Sequence, residues 1–195
     1  MISRLKGILL TRDPGSIEVE TSGGVVYEVE VPLTVLERLP PAGSPVELRT
    51  LQVVREDSAS LFGFLEPHER ELFKRLLSAS GVGAKLALAM LSTFSAPRLA
   101  QALAERDLAA LTQVSGVGKK TAERISLELA DRVRDLAVVS RAGAPGASPV
   151  LEGAVSALVS LGFSFAEADA SVRKALAEGD GQSTEALIRK ALSGG

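Results

Sequence analysis

The sequence predicts an α+β protein of several domains: an N-terminal β-barrel, a central all-helical domain and a small helical tail. Three observations support this fold class. Apolar and polar residues alternate over the first 63 residues as in strands, and from Pro67 onward apolar residues recur at the three- and four-residue spacing of helices. A stretch rich in Ala, Gly and Pro at 140–149 then separates the tail. With 195 residues, the chain is long enough for more than one domain.

The barrel prediction rests on short strand-like runs in the first domain. Ile17 and Val19 alternate with Glu18 and Glu20, and Ser-Gly-Gly at 22–24 supplies a turn. Similar runs occur at 2–10, 25–31, 46–54 and 60–64. Since about five short strands suit a small closed barrel, we assign 1–63 to an OB-like barrel.

Composition excludes several kinds of catalytic and metal site. The chain has no cysteine, which excludes disulfides, thiolate zinc sites and cysteine nucleophiles and suits a reducing compartment. His68, the only histidine, stands at an apparent helix start, where a surface position is a better interpretation than a Ser-His-Asp triad. No apolar run approaches the roughly 20 residues that span a bilayer, and no signal-type stretch follows Met1. We expect a cytoplasmic protein without metal or cofactor.

Charge is distributed unevenly along the chain, although the net charge is only −2. Lys and Arg number 6 against 9 Asp and Glu in residues 1–63, 11 against 9 in 64–139, and 5 against 6 in 140–195. The middle domain alone is basic, so nucleic-acid binding would depend on local arrangement there. The barrel holds only two aromatic residues, Tyr27 and Phe62, which argues against single-strand binding by base stacking.

A repeat at an offset of 35 residues is the strongest internal signal. Leu76 and the sequence SGVGAKLA at 80–87 correspond to Leu111 and SGVGKKTA at 115–122, with seven identical positions. In each copy an apolar helical stretch precedes a Gly-Val-Gly turn, and a second helix then begins with lysine. This pattern predicts two helix-hairpin-helix motifs within a domain at 64–139.

The predicted hairpins have the properties of phosphate sites. Glycine permits positive φ and close approach of a ligand, while the following helix begins with unpaired N–H groups at the positive end of its dipole. Lysine side chains at matching positions add charge-assisted contacts to phosphate oxygens. Because such contacts ignore the bases, binding should be independent of sequence. The predicted phosphate-binding residues are Gly81, Gly83, Lys85, Gly116, Gly118, Lys119, Lys120 and Arg124.

The glycines do not fit two other phosphate-binding motifs. A P-loop, G-x-x-x-x-G-K-[ST], would need glycine at Gln113 and serine or threonine at Lys120, and both conditions fail. A dinucleotide fingerprint fails because each Gly-Val-Gly follows a helix and not a strand. Two glycine-terminated helix hairpins that serve only as packing turns remain the structural alternative.

The last two segments are a linker and a tail. Residues 140–149 contain two prolines and little to bury, and as a flexible coil they would span on the order of 18 Å. Residues 150–195 are predicted to form a three-helix bundle whose small core is only modestly stable.

Several motifs in this order resemble the RuvA family of bacterial Holliday-junction proteins over nearly the whole chain. The matching segments are MI at 1–2 with RLKG at 4–7, VVRED at 53–57 with LFGF at 61–64, GVG at 81–83 with KLALA at 85–89, and GVGKKTAER at 116–124. Ala84 departs from the pattern, since the family often has proline there, and the linker is short.

The resemblance implies a non-catalytic subunit that binds four-way junction DNA as a homotetramer, in one or two face-to-face tetramers, with the hairpins gripping phosphates across the minor groove. It also implies two protein partners, the RuvB AAA+ motor for branch migration and the RuvC resolvase, in recombination and repair. Glu56 and Asp57, which alone would indicate a solvated turn, correspond to the family's acidic pin. The implied motor-binding residues, which could instead be the tail's own core, are Leu158, Leu161, Phe163 and Leu192.

Two other functions are compatible with helix-hairpin-helix motifs. A glycosylase would place a catalytic aspartate on a separate element, whereas Asp131 and Asp135 are predicted to share one helix with Lys120, over 119–138, and to face no pocket. A DNA-binding accessory subunit of a repair nuclease would be monomeric and would not distinguish junctions from duplex.

Overall fold

The computed structural model describes residues 1–137 and, in the tail, residues 153–154, 157–158, 168, 171–172, 174–175 and 184–193. It divides into two compact units, Met1–Ala137 and Val138–Gly195. The first unit holds a barrel and a helical domain, and every described tail residue is helical. The predicted fold class is confirmed, while three helices in the tail and the boundaries at 63, 139 and 149 stay predictions.

Five strands form the barrel: β1 (Arg4–Asp13), β2 (Ser16–Glu20), β3 (Val26–Glu30), β4 (Pro45–Val54) and β5 (Ala59–Phe64). They close in the order β1-β2-β3-β5-β4, with β3 and β5 parallel at Glu30 and Phe62 and the other pairs antiparallel. A bulge between Leu9 and Thr11 interrupts the pairing of β1 with β2, so one long strand can bend between two neighbours. Closure leaves no long free sheet edge.

The alternation seen in the sequence accounts for the barrel core. Leu5 and Leu9 in β1, Ile17 and Val19 in β2, and Leu48 in β4 are all at most 5% exposed. Each such side chain contributes about 1.5–3 kcal/mol when it leaves water. Between β3 and β4 the structure adds a four-residue helix, α1 (Leu33–Leu36), that the sequence pattern did not predict.

Up to residue 133, the helical domain has five helices and a 3₁₀ turn, with Phe73, Met90, Leu103 and Ile125 in its core. The predicted helical stretch at 96–111 is interrupted at Arg106, whose φ is +54°. Asp107 then starts a new helix by accepting the Ala110 N–H at 3.0 Å, and this hydrogen bond lowers the pKa of Asp107. The elements are α2 (Pro67–Leu77), α3 (Ala84–Thr93), α4 (Ala96–Ala104), α5 (Leu108–Leu111), α6 (Lys119–Leu129) and the turn Asp131–Val133.

The long helix predicted from Lys119 onward is shorter than expected. It ends at Leu129 and tightens into the 3₁₀ turn before residues 134–137 become helical again. Arg75 of α2 donates to the Arg132 carbonyl within this tightened stretch, and so packs the turn against α2. The same guanidinium pairs with both carboxylate oxygens of Asp135, at 2.5 and 2.9 Å.

The Arg75–Asp135 pair predicts a dependence of stability on pH. The arginine hydrogen bond lowers the pKa of Asp135 below its ordinary value of 3.8, so the pair stabilises the fold above that value and the contribution disappears as pH falls through the lowered pKa. Because Asp135 is largely exposed, we expect Asp135→Asn to cost only about 0.5–1 kcal/mol at pH 7. Urea unfolding at pH 7 and below pH 3 measures the effect.

Asp131→Asn is the matched control, since that carboxylate pairs with Arg134 at 2.9 Å on an exposed surface. It should change stability less than Asp135→Asn at neutral pH. A cost of Asp135→Asn that is as large in acid as at pH 7 would contradict the assigned role of the pair.

Candidate nucleic-acid interface

The two hairpins have the same hydrogen bonds at corresponding positions. In the first, the Val82 N–H donates to the Ala79 carbonyl at 3.1 Å, and the Ala87 N–H donates to the Gly83 carbonyl at 3.0 Å. The equivalent bonds 35 residues later measure 3.0 and 2.9 Å. The sequence repeat is therefore a structural repeat.

Backbone conformation explains why glycine occupies these turns. Gly81 and Gly116 have φ of +74° and +87°, in the region that other residues rarely adopt. The valine that follows each of them is buried, with Val82 6% and Val117 5% exposed, and anchors the turn in the core. The buried valines thus hold the hairpin tips in place, while the glycines are exposed to solvent.

Each hairpin ends at the N-terminus of a helix that has no side-chain cap. Gly83 caps α3 with φ −88° and ψ 171°, and Gly118 caps α6 with φ −85° and ψ 170°. An added Cβ would meet nothing within 4 Å at either glycine, so a ligand can approach the backbone. The first N–H groups of both helices therefore have no side-chain cap and lie beside open space, where an anion can reach them.

Four cationic side chains are exposed near these helix starts: Lys85, Lys119, Lys120 and Arg124. Within the described part of the chain, none of them forms an ion pair. Positive charge that is not neutralised by the protein can act on phosphate at the same place as the helix dipoles.

Arg124 connects the two motifs in a way that sequence reasoning did not foresee. It belongs to α6 of the second motif, yet its Nη2 lies 2.5 Å from where a Cβ on Gly81 would stand. One turn further along α6, Glu128 accepts the Ser80 N–H at 2.8 Å. The first hairpin is therefore held by the second helix of the other motif. The four-residue spacing of Arg124 and Glu128 on one helix face was the available signal.

The acidic pair lies where the sequence placed it, in the connection between β4 and β5. Glu56 and Asp57 are exposed, and the loop is closed by the Arg55 N–H, which donates to the Ser58 carbonyl at 2.8 Å. A cleft of about 180 Å³ runs from the base of this loop to Ala84 at the start of α3. The acidic loop and the first hairpin thus border the same surface.

The remaining candidate residues have other surroundings. His68 is half-buried in the first turn of α2 and not fully exposed as expected. Asp131 pairs with Arg134 and Asp135 with Arg75, so both carboxylates considered for catalysis are engaged by arginine. Among the described residues there is no cluster of three or more side chains able to hold a metal, and no helix there is long and apolar enough to cross a membrane.

The four predicted motor-binding residues all lie in the tail, and the structure describes only some of them. Leu158 is 1% exposed and packs with Ala154, Ala168, Val172 and Leu187, so it belongs to the core of the tail. Leu192 lies in the helix Thr184–Ser193, of which only the backbone is described at that position. Leu161 and Phe163 lie outside the described residues. A role of these four in binding a motor stays a prediction.

Comparison with known proteins agrees with this arrangement. Three family models match: "RuvA N terminal domain" at 1–63, "SAM-like Helix-hairpin-helix tandem" at 73–131 and "RuvA, C-terminal domain" at 149–194. The chain belongs to the RuvA family. A protein of Pseudomonas putida is 45% identical over 203 residues, covering 100% of this chain and 98% of its own length. Proteins of Gemmatimonas aurantiaca and Opitutus terrae are 42% and 43% identical, each over 99% of this chain and 98% and 100% of their own lengths.

These three relatives are each named "Holliday junction branch migration complex subunit RuvA". The resemblance found from sequence motifs is therefore confirmed at the level of the RuvA family. The RuvA N-terminal model covers the barrel with its acidic loop, and the helix-hairpin-helix model covers both glycine turns. The two parts of the candidate interface thus fall in separate matched regions of one RuvA-family chain.

Gly81→Ala should destabilise the fold, because alanine must adopt positive φ there, whereas the Arg124 guanidinium beside its Cβ ends a flexible side chain and can move aside. We expect a cost of about 1–3 kcal/mol in urea unfolding. Gly83→Ala is the matched control, since its φ is ordinary and its Cβ enters open space. The control should cost about 0.5 kcal/mol, as alanine is the poorer N-cap, and yet weaken DNA binding by blocking close approach. Equal stability of the two variants would refute the distinction.

Proposed function

We propose that this RuvA-family chain binds four-way DNA junctions without regard to sequence and acts as the DNA-binding subunit of a branch-migration complex. The observation that carries this proposal is the pair of structurally equivalent hairpins, each with an uncapped helix N-terminus and with cations that form no ion pair to any described residue. The names of the relatives point to the same activity.

The hairpins supply the contacts to DNA. The outward N–H groups at Gly83 and Gly118 donate to phosphate oxygens, while Lys85 and Lys120 add charge at equivalent positions. Two such sites on one subunit, joined by the hydrogen bond from the Ser80 N–H to Glu128, can hold phosphates on both sides of a groove. Nothing in this arrangement reads base edges, so affinity should depend on backbone geometry and salt and not on sequence.

The acidic loop supplies discrimination in the proposed assembly. We propose a homotetramer in which four barrels surround the crossover and each contributes Glu56 and Asp57. The loops repel phosphates from the centre and leave room for an open junction whose strands turn away. The net negative charge of the barrel domain fits this task better than it fits general DNA binding.

We propose that a partner protein, and not this chain, moves the DNA. The described residues offer carboxylates engaged by arginine and no metal cluster, so we propose that the chain itself is not catalytic. The tail is proposed to dock on a RuvB-type ATPase motor, and a RuvC-type resolvase is proposed to join the complex. Binding and motor recruitment then reside in separate parts of one chain.

A direct test compares an open four-way junction with linear duplex of equal length in gel shifts with excess unlabelled competitor. The proposal predicts a junction complex that survives competitor at which the duplex complex is lost, with no dependence on arm sequence. Equal affinity for both, with a monomeric protein in solution, would overturn it in favour of a duplex-anchoring accessory subunit.

Removal of residues 149–195 should separate the two activities. The truncated chain keeps the barrel, both hairpins and the acidic loop. We therefore expect its junction affinity to stay within about two-fold of that of the full chain, a change of less than about 1 kcal/mol in binding free energy. Motor-stimulated branch migration should be lost. Full-rate migration by the truncated chain would contradict the role assigned to the tail.

A further inference from the structure

A polar joint connects the barrel to the helix that carries the first hairpin. The Thr34 hydroxyl of α1 donates to the Leu91 carbonyl at 2.7 Å, and the Leu33 N–H donates to the Ser92 hydroxyl at 3.0 Å. Leu91 and Ser92 belong to α3, whose opposite end is the proposed phosphate site. The barrel therefore holds one end of a rigid ten-residue helix that presents the hairpin at its other end.

The joint continues through a buried carboxylate. Glu69 is 6% exposed, and its Oε2 accepts the N–H groups of Leu65 and Glu66 at 3.1 and 2.9 Å. Its Oε1 accepts the Arg38 guanidinium, and Arg38 Nε in turn donates to the Thr34 carbonyl at 3.0 Å. The start of α2 is thereby tied to the same short helix that holds α3.

Apolar contact alone would have joined the two domains. Phe73 of α2 packs on Phe62 and Phe64 of β5, with ring centroids 4.9 and 5.1 Å apart. A buried carboxylate, in contrast, is costly unless it is fully paired. Its hydrogen bonds are directional, however, whereas packed rings tolerate small rotations. The polar joint therefore fixes an angle that the aromatic contact leaves free.

We infer that Thr34, Arg38, Glu69 and Ser92 form a positioning joint that sets the distance between the acidic loop and the hairpins, and thereby the preference for junction over duplex. The inference rests on the proposed function. The acidic loop connects β4 and β5 of the barrel. The first hairpin connects α2 and α3, and the second connects α5 and α6. Duplex needs only the hairpins, whereas a junction must satisfy hairpins and loop together.

Two sets of variants loosen the joint without removing a DNA contact. Glu69→Gln keeps an acceptor for the α2 cap but turns an amide donor toward Arg38. Thr34→Val with Ser92→Ala deletes both hydroxyls that bridge α1 and α3. Thr93→Val is the matched control, because its hydroxyl donates within α3 to the Ala89 carbonyl at 2.8 Å.

Junction and duplex dissociation constants are measured at one salt concentration, well below the unfolding temperature. Both joint variants should lower the junction-to-duplex affinity ratio by about five-fold, the effect of one net hydrogen bond. Duplex affinity and its salt dependence should stay as in the unmodified chain. Arg38→Lys, which keeps a cation for Glu69, should retain most of the ratio, and Thr93→Val all of it.

A distance measurement separates positioning from general destabilisation. The chain has no cysteine, so Ser58→Cys on the acidic loop and Thr112→Cys before the second hairpin provide two labelling sites. Electron-spin distances in labelled full-length chains, diluted with unlabelled chains, should broaden in the joint variants and stay narrow with Thr93→Val. No junction preference in the unmodified chain would overturn the proposed function and this inference together. An unchanged ratio and a narrow distribution in the joint variants, beside a normal preference in the unmodified chain, would overturn the inference alone.

Discussion

Replacing Lys85 and Lys120 together with alanine should flatten the salt dependence of DNA binding. Each neutralised phosphate contributes about 0.9 to the slope of log K against log salt, so loss of two contacts should lower the slope by about 1.8 per bound subunit. Both lysines are exposed at the first turns of α3 and α6, and neither has an ion-pair partner among the described residues. Titration of labelled junction at several salt concentrations gives the slope.

The effect on affinity at moderate salt should be large, because every subunit of the proposed tetramer loses two contacts. Charge-assisted hydrogen bonds are worth about 1.5–3 kcal/mol each, so a loss of more than tenfold per subunit is expected before compensation. The control is Arg4→Ala with Lys6→Ala, which removes the same charge from β1 of the barrel, where both side chains pair with Glu47, and should leave the slope nearly unchanged. A slope that is the same in both double variants would show that the hairpin lysines do not contact DNA.

The two hairpins could be predicted from sequence because their determinants are local. Positive φ at Gly81 and Gly116 needs glycine, and a buried valine must follow, so the constraint appears directly as Gly-Val-Gly at an offset of 35. The barrel could also be predicted from sequence, since the alternation of apolar residues such as Ile17 and Val19 with polar ones shows which face of the strand is buried.

Features that depend on tertiary contacts could not be predicted in the same way. Helix α1 has four residues, too few for a periodic pattern, and its hydrogen bonds to α3 span 57 and 59 positions of sequence. The turn that follows α6 is held by Arg75, which lies 57 positions before the carbonyl that it contacts. The place of Arg124 beside Gly81 likewise follows only from the packing of one motif on the other.

For the acidic loop, the conformation could be predicted from the sequence, but the function could not. The turn itself was predictable, since adjacent acids between two strand-like runs favour an exposed connection, and the structure places Glu56 and Asp57 in one. Its proposed role could not be predicted from the fold of one chain, because in the proposed tetramer that role depends on four copies that meet around a DNA crossover. A test must therefore change the charge and leave the loop conformation intact.

Glu56→Gln with Asp57→Asn is such a change, and it should tighten binding to continuous duplex more than binding to the junction. In the proposed tetramer four loops bring eight carboxylates under the crossover. A carboxylate and a phosphate 4 Å apart repel by about 1 kcal/mol in bulk water and by several-fold more where water is excluded. That repulsion acts on any DNA whose backbone must cross the centre, and it spares an open junction whose strands turn aside.

The junction-to-duplex affinity ratio should therefore fall by about tenfold in the double variant, which corresponds to about 1.4 kcal/mol. The amides preserve the size of the side chains, and the loop should remain closed because its Arg55-to-Ser58 hydrogen bond joins backbone atoms. Asp13→Asn with Glu28→Gln, two exposed acids elsewhere on the barrel, removes the same charge and should change both affinities equally and slightly. The comparison separates an effect of net charge, which both double variants would show, from repulsion by Glu56 and Asp57, which depends on the position of the carboxylates. If both double variants leave the ratio unchanged, Glu56 and Asp57 are ordinary turn residues and discrimination must come from the hairpins and their spacing alone.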